Sequence, residues 1–279
     1  MGRFATDSPP AQEGGDLASV LLAGIFGPTR QAGETQVGRS RSILYEGGTG
    51  MRYFRIAIAA AAVCLLVGLP AQAARKDSGV VDASKRLAGF TAGELLGEEL
   101  RQVLELPLDV NPAAGADNCL FAGHQEKVLL LWTRREPDPL PVCDVKPGTP
   151  LFFYALGGEC SSVEEEPFFG ATEEAQRQCM LDFLASTPFD AIEVRVDGGP
   201  PVNIGRDRYL AVSEQGTVDL PDPNVLAVPG GQATFVAAGY VALVRPLPPG
   251  SHTITVTIVG GPFRGTNRAV VNVVPGLRS

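Results

Sequence analysis

The chain has 279 residues, of which 44% are hydrophobic, and it carries 23 basic against 31 acidic side chains, a formal net charge of −8. Phosphate backbones and anionic lipids are bound by clustered Lys and Arg, but no basic run here exceeds two residues. Nucleic acid and anionic membrane surfaces are therefore disfavoured partners.

Residues 51–73 have the three parts of a secretory signal peptide. Two arginines follow Met51, an apolar run extends from Ile56 to Leu69, and a small-x-small ending closes at Ala73. The run is shorter than the roughly 20 apolar residues that a helix needs to cross a bilayer. We therefore expect cleavage after Ala73 and a mature protein with no stable membrane span.

Residues 1–50 precede this segment, although the secretion machinery reads such segments at or near an N-terminus. We expect them to be a non-native upstream extension without order, since Gly, Ser, Thr, Pro and Gln are scattered through them without a helix or strand period. Glu46-Gly47-Gly48 also back-translates to a purine-rich sequence of the kind that precedes bacterial start codons. The alternative is a flexible tail that is really made, and the nucleotide sequence distinguishes the two.

Cleavage would leave 206 residues, enough for one domain with its own core. The first 73 residues hold 6 of the basic and 5 of the acidic side chains, so the mature chain has 17 basic and 26 acidic side chains, a net charge of −9. We expect residues 74–88 to be a flexible leader and residues 89–279 to form a single domain.

Four cysteines remain after Ala73, an even number that suits an exported protein. They allow three pairings, and proximity favours Cys119–Cys143 and Cys160–Cys179, each stabilising by about 3 kcal/mol in the chain-entropy account. Metal binding is the competing interpretation, but no two of them form a Cys-x-x-Cys pair and the chain has only two histidines. We therefore predict two disulfides.

Two segments have helical patterns. The first, from Thr91 to Glu105, opens with a potential capping box of Thr91 and Glu94 and is stopped by Pro107. The second covers residues 172–186 and would turn Cys179 inward toward Cys160. The apolar side expected for this second helix contains Ala175, Cys179, Phe183 and Leu184.

Short strand patterns separated by Gly and Pro turns make up most of the remainder. The runs 127–132 and 150–156 are apolar on both faces, as expected for interior strands. Further strand patterns follow at 191–196, 200–204, 239–245, 252–258 and 268–274. The glycine pairs at 157–158, 198–199, 230–231 and 260–261 are interpreted as turn glycines. This order predicts a mainly β fold, an antiparallel β-sandwich with two short α-helices packed at its side.

Several short motifs occur in an order that resembles a known family. They include Asn111-Pro112, Cys119, the run 143–153 from Cys143 to Phe153, Gly158-Glu159-Cys160, and Pro246-Leu-Pro-Pro-Gly-Ser-His-Thr-Ile254. The order resembles a family of secreted bacterial proteins of unknown function that share cysteine-flanked strands and a Leu-x-Pro-Gly-x-His-x-Ile hairpin. The resemblance covers about residues 89–274 and implies export, but no activity.

Recognisable catalytic motifs are absent from the sequence. There is no Gly-x-Ser-x-Gly elbow, His-Glu-x-x-His pair, phosphate-binding glycine loop or EF-hand spacing, and two histidines leave few ways to build a Ser-His-acid triad. We expect His252, after the Pro-Pro-Gly turn, to hydrogen-bond loop backbone. His124 is expected to be structural or exposed.

An acidic insert from Glu159 to Gly170 is the best candidate for a chemical role. Clustered carboxylates on a loop can hold Ca²⁺, and rigidly paired carboxylates can hydrolyse glycosides. A solvated charged loop is the interpretation that we favour, and no catalytic, cofactor or metal residue is assigned. The acids considered are Glu159, Glu164, Glu165, Glu166, Glu173 and Glu174, with Asp219, Asp222 and Asn224 as a weaker Ca²⁺ option.

The leading hypothesis is a non-enzymatic, secreted or periplasmic binding or structural module whose partner is an extracellular or envelope protein or a polysaccharide. Rigid sandwiches usually present function on loops, so residues 157–171 and 219–233 are the expected contact surfaces. The alternative is an extracytoplasmic hydrolase that uses carboxylates near Glu159 or Asp222. Two carboxylates converging with His124 or His252 in one pocket would favour the hydrolase, and dispersed acids would favour the module.

Overall fold

The computed structural model of the protein describes residues 78–135 and 138–277. The predicted extension (1–50) and signal peptide (51–73) lie outside the described residues. Within this part the chain forms two sheets and two helices, α1 (Ala92–Glu105) and α2 (Glu173–Ser186). The predicted mainly β fold with two helices is confirmed.

The strands are numbered in chain order. They are β1 (Val80–Val81), β2 (Leu120–Ala122), β3 (Val128–Leu130), β4 (Arg134–Arg135), β5 (Val142–Val145), β6 (Leu151–Ser161), β7 (Ala191–Val196), β8 (Val202–Asn203), β9 (Leu210–Val212), β10 (Gly216–Leu220), β11 (Gly231–Val244), β12 (Gly250–Val259) and β13 (Gly265–Val273).

The strands form a seven-stranded and a six-stranded sheet. The first has the order β1-β11-β6-β3-β2, with β9 and β10 also pairing with β11, and the second has the order β4-β13-β12-β7-β8, with β5 beside β13. Most pairings are antiparallel, as expected for the sandwich. Two are parallel, β3 with β6 and β5 with β13, and these the sequence patterns did not predict.

The core is densest around β6 and β11, whose side chains are mostly buried on both faces. In the second sheet, β12 and β13 alternate between buried and half-buried residues, as a strand with one face on the core should. The alternate apolar residues of β12, Ile254, Val256 and Ile258, are buried.

Both helices begin within one residue of their predicted starts. Thr91 and Glu94 form a complete capping box at the start of α1. Thr172 caps α2, and its buried residues are Gln176, Met180 and Leu184, of which only Leu184 belongs to the expected stripe. Ala175 is exposed, and Cys179 and Phe183 are half-buried because they pack against the core on one side and line a groove on the other.

Both disulfides favoured by proximity are present. Cys119–Cys143 joins the segment before β2 in the first sheet to β5 in the second, and Cys160–Cys179 joins β6 to α2. The first bond therefore links the two layers, and the second holds a helix against one layer.

Two expectations about boundaries are wrong. Residues 78–88 are not a loose leader, because Val80 and Val81 pair with Val244 and Leu243 of β11 and Leu87 is buried. The pair Gly157-Gly158 does not form a turn either, since β6 continues through it to Ser161. Among the described residues, no helix is long and apolar enough to cross a membrane.

Candidate binding groove

A groove lies between the loop that follows β6 and helix α2. Its cavity has a volume of about 600 Å³. The loop contributes residues 166–169 and the helix contributes one face from its first turn to its last. The lining residues are Glu166, Pro167, Phe168, Phe169, Ala175, Gln178, Cys179, Asp182, Phe183 and Ser186.

Backbone hydrogen bonds hold the loop against the end of β6. The N–H of Ser161 donates to the carbonyl of Phe168 (3.0 Å), and the N–H of Gly170 donates to the carbonyl of Ser161 (2.8 Å). The Ser161 hydroxyl also accepts from the backbone N–H of Glu164 (3.2 Å). The loop therefore doubles back on the strand end, which fixes the positions of Phe168 and Phe169.

The helix wall is held by a polar anchor and a covalent bond. The buried Gln176 amide donates to the carbonyls of Gly170 (2.9 Å) and Thr234 (3.1 Å), and it accepts from the Gln215 amide (3.0 Å). The disulfide at Cys179 ties the same helix to β6. The two walls of the groove thus share one rigid support, the end of β6 and its neighbour β11.

Aromatic rings form one side of the groove and continue beyond it. The centroids of Phe168 and Phe183 are 5.7 Å apart with their planes at 59°, and Phe263, between β12 and β13, lies 6.1 Å from Phe183. Phe169 is 40% exposed and lies in the same groove as these rings. The groove therefore presents apolar surface to solvent.

The ionisable groups that line the groove are both carboxylates, Glu166 and Asp182. Asp182 accepts from the Gln178 amide (2.7 Å), and within the described residues neither carboxylate forms an ion pair. Besides the shielded Glu159 and Glu164, residues 159–190 contain six acidic side chains and one base, Arg177, which pairs with Glu173 at 2.8 Å. The groove lies in a strongly negative region of the chain.

A second groove of about 630 Å³ lies between α1 and strands β9 and β10. Its two arginines already have partners, since Arg86 lies 3.8 Å from Glu94 and Arg101 lies 2.7 Å from Glu98. Glu214 also lines this groove and is exposed, and it forms no ion pair within the described residues. We regard the groove at α2 as the better candidate for recognition because it exposes a large apolar side chain, Phe169, and the second groove does not.

Two of the candidate glutamates are shielded from solvent but do not line the groove, since Glu159 is buried and Glu164 is half-buried. Burial raises the pKa of Glu164 to about 7, although hydrogen bonding with Ser161 lowers it. Burial also raises the pKa of Glu159 well above its usual range, and the charge of Glu164 adds to this effect. One carboxyl oxygen on each has no hydrogen-bond partner in the part of the chain that the structure describes.

A further buried acid was not predicted. Glu99 lies on the apolar side of α1, and burial raises its pKa well above the usual range. Burial, together with the charges of Glu99 and Glu159, raises the pKa of Tyr154, whose ring packs edge-on against Trp132 at 5.7 Å. These groups belong to the core, and none of them lines either groove.

Neither histidine joins a pair of carboxylates. His252 is buried, with Nδ1 2.8 Å from Asp197 Oδ2 and Nε2 2.8 Å from the carbonyl of Pro248, so the predicted hydrogen bond to loop backbone is present. His124 is exposed in the turn after β2. The acids near Glu159 and Asp222 are thus dispersed with respect to both imidazoles.

The structure separates the six glutamates of the acidic insert. Glu159 and Glu164 are shielded from solvent, whereas Glu165, Glu166, Glu173 and Glu174 are exposed. Within residues 78–135 and 138–277, no three His, Cys, Asp or Glu side chains come together as a metal site.

The second expected contact surface, residues 219–233, contributes nothing to the groove. Asp219 belongs to β10, and Asp222 is exposed. The buried Asn224 donates to the carbonyls of Pro221 and Val228 (both 2.8 Å) and accepts from the N–H of Leu226 (3.1 Å), so it shapes this loop.

The loop wall of the groove lies within a predicted contact surface, whereas the helix wall was not predicted. The loop 157–171 was expected to be a contact surface, and Phe168-Phe169 beside three glutamates is a signal visible in the sequence. Gln178, Asp182 and Phe183 were not predicted as site residues, since their helix was expected to bury Phe183. No protein-family model matches this chain, and comparison with curated proteins finds no match.

Proposed function

We propose that this protein is an exported, non-enzymatic binding module that recognises an extracytoplasmic partner through the groove between residues 166–169 and α2. One observation carries the proposal: exposed Phe169 lies in a groove with two carboxylates that pair with no cation among the described residues, on walls anchored to the same sheet. Apolar surface with a few polar groups is the usual composition of a binding site.

Export is supported by the chemistry of the cysteines. All four cysteines after residue 73 are in disulfides, which persist in oxidising compartments and are rare in the cytosol. The signal-peptide pattern of residues 51–73 provides an independent argument. We therefore place the mature protein in the periplasm or outside the cell.

The hydrolase alternative receives less support from the geometry. A glycosidase needs two carboxyl groups that flank a bound substrate. Glu159 is only 5% exposed, and neither it nor Glu164 lines the groove. The groove carboxylates, Glu166 and Asp182, have no imidazole among the lining residues.

The test is capture of a partner by the purified, oxidised protein from the envelope and medium of the producing cell. We expect a partner that is retained by the wild type and lost with Phe169→Ala. The matched control is Val110→Ala, since Val110 is 42% exposed and lies outside the groove. Equal capture by both variants would contradict the assignment to this groove.

A further inference from the structure

The charges of the groove restrict what can occupy it. Two carboxylates line it, no Lys, Arg or His does, and both carboxylates are free of ion pairs within the described part of the chain. An occupant that covers them removes water from two negative charges, which is costly unless a positive charge replaces the water. The surrounding excess of acidic residues between 159 and 190 would also attract a cation over a longer distance.

The aromatic side of the groove restricts the occupant further. The half-buried Phe168 and Phe183 and the exposed Phe169 offer ring surface beside the carboxylates. A guanidinium group stacks on aromatic faces and binds a carboxylate through two parallel N–H donors, which an ammonium group cannot do. The stem of an arginine side chain is apolar and can cover the remaining ring surface.

Resting on the proposed function, we infer that the occupant of the groove is an arginine-bearing peptide segment of another exported protein. The guanidinium pairs with the groove carboxylates, Glu166 and Asp182, and neighbouring apolar side chains of the segment contact the phenylalanines. Charge complementarity favours this occupant over a neutral polysaccharide, whose hydroxyl groups would leave both carboxylates without a counter-charge.

The experiment is a fluorescence anisotropy titration of the oxidised protein with labelled peptides of alternating arginine and leucine. Counterparts with lysine or glutamine replace each arginine. We expect the arginine peptide to bind more tightly than the lysine peptide, and the glutamine peptide not to bind. Glu166→Gln and Asp182→Asn should each weaken binding about tenfold, the loss typical of a charge-assisted hydrogen bond.

Glu165→Gln is the matched control, because it removes one negative charge from the same loop at an exposed residue outside the groove. We expect it to change the dissociation constant less than twofold. An equal loss of affinity with Glu165→Gln would overturn the inference, since binding would then depend on the overall negative charge and not on the two groove carboxylates. Thermal unfolding of each variant verifies that the fold is retained, which is expected because all three substituted side chains are exposed.

Two oligosaccharides are tested in the same way to distinguish a polysaccharide occupant from a peptide. One consists of neutral glucose units and the other of cationic glucosamine units. Binding of either at least as tightly as the arginine peptide would overturn the inference and point to a polysaccharide partner. If the arginine peptide fails to bind while capture of a partner still depends on Phe169, this inference is wrong and the proposed function stands. If capture of a partner is also unaffected by Phe169→Ala, the inference and the proposed function are both wrong.

Discussion

Glu159 and Glu164 are buried close enough for the charge of one to affect the other. An ionised carboxylate loses its hydration in such a place, and each of these side chains has an oxygen without a hydrogen-bond partner. The protonated form is therefore favoured in the folded protein. The two acids make folding depend on pH in the direction opposite to that of a salt-bridged carboxylate.

We predict that the free energy of unfolding falls as the pH rises from about 4.5 to about 7. The pKa of Glu164 is raised in the folded protein, so between these pH values the folded protein holds a proton that the unfolded chain has released. The resulting stabilisation is fully present below the pKa of the unfolded chain. It is lost as the pH rises through the pKa of the folded protein. Glu164→Gln should reduce the slope and stabilise the protein at pH 7.5 by on the order of 1–3 kcal/mol. Urea unfolding at several pH values measures both effects.

Glu165→Gln is again the control, because this neighbouring side chain is exposed. It should leave the pH slope unchanged. A variant at Glu164 with the wild-type slope would show that this carboxyl is not protonated in the folded protein at pH 6. A smaller pH slope is expected to remain in Glu164→Gln, since the pKa values of Glu99 and Glu159 are also raised by folding.

At the scale of elements, the pairing of β6 with β11 determines where the groove lies. Gly157 pairs with Gly239, and the two backbones approach so closely that a Cβ at Gly157 would be 2.4 Å from the carbonyl oxygen of Ala238. Beyond this point β6 continues to Cys160 and Ser161, which hold helix α2 and the loop. The glycine thus allows the strand to extend to the groove.

We predict that Gly157→Ala destabilises the protein by about 1–3 kcal/mol, because the obstructing atoms belong to backbone and cannot rotate away. Gly158→Ala is the control, since a Cβ there meets nothing within 4 Å. It should be close to neutral. Chemical denaturation of the two variants measures the difference, and equal stabilities would contradict the close approach.

Local signals explain which elements the sequence predicts. The caps Thr91 and Thr172 and the alternation of β7 and β12 depend on neighbouring residues, and all appear in the structure. The continuation of β6 through Gly157 and the first half of β11 depend on distant partners. A glycine pair is ordinarily a turn signal, so the pairing with Gly239 could not be inferred from its neighbours.

The same division between local and distant signals applies to the buried acid Glu99 and to the groove. Glu99 occupies a position at helical spacing from Leu95, Leu96 and Val103, so an acid in the apolar stripe of α1 was visible in the sequence. The groove itself was not visible. It exists because α2 turns Met180 and Leu184 to the core and leaves Phe183 beside the loop, which is a consequence of packing.

At the scale of the whole molecule, the disulfides connect parts that are distant in the fold. Cys119–Cys143 links the two sheets near their edges, while Cys160–Cys179 links α2 to the first sheet. They close loops of 24 and 19 residues. Each is expected to contribute about 3 kcal/mol by restricting the unfolded chain.

We predict that the protein isolated from outside the cytoplasm begins at Ala74 and contains no free thiol. Alkylation of the denatured protein without reductant, followed by mass spectrometry, measures both properties together. Reduction should expose four thiols and lower stability by several kcal/mol, because both loops are then released. A product that begins at Met1, with its cysteines reduced and located in the cytosol, would contradict export and with it the groove's extracytoplasmic partner.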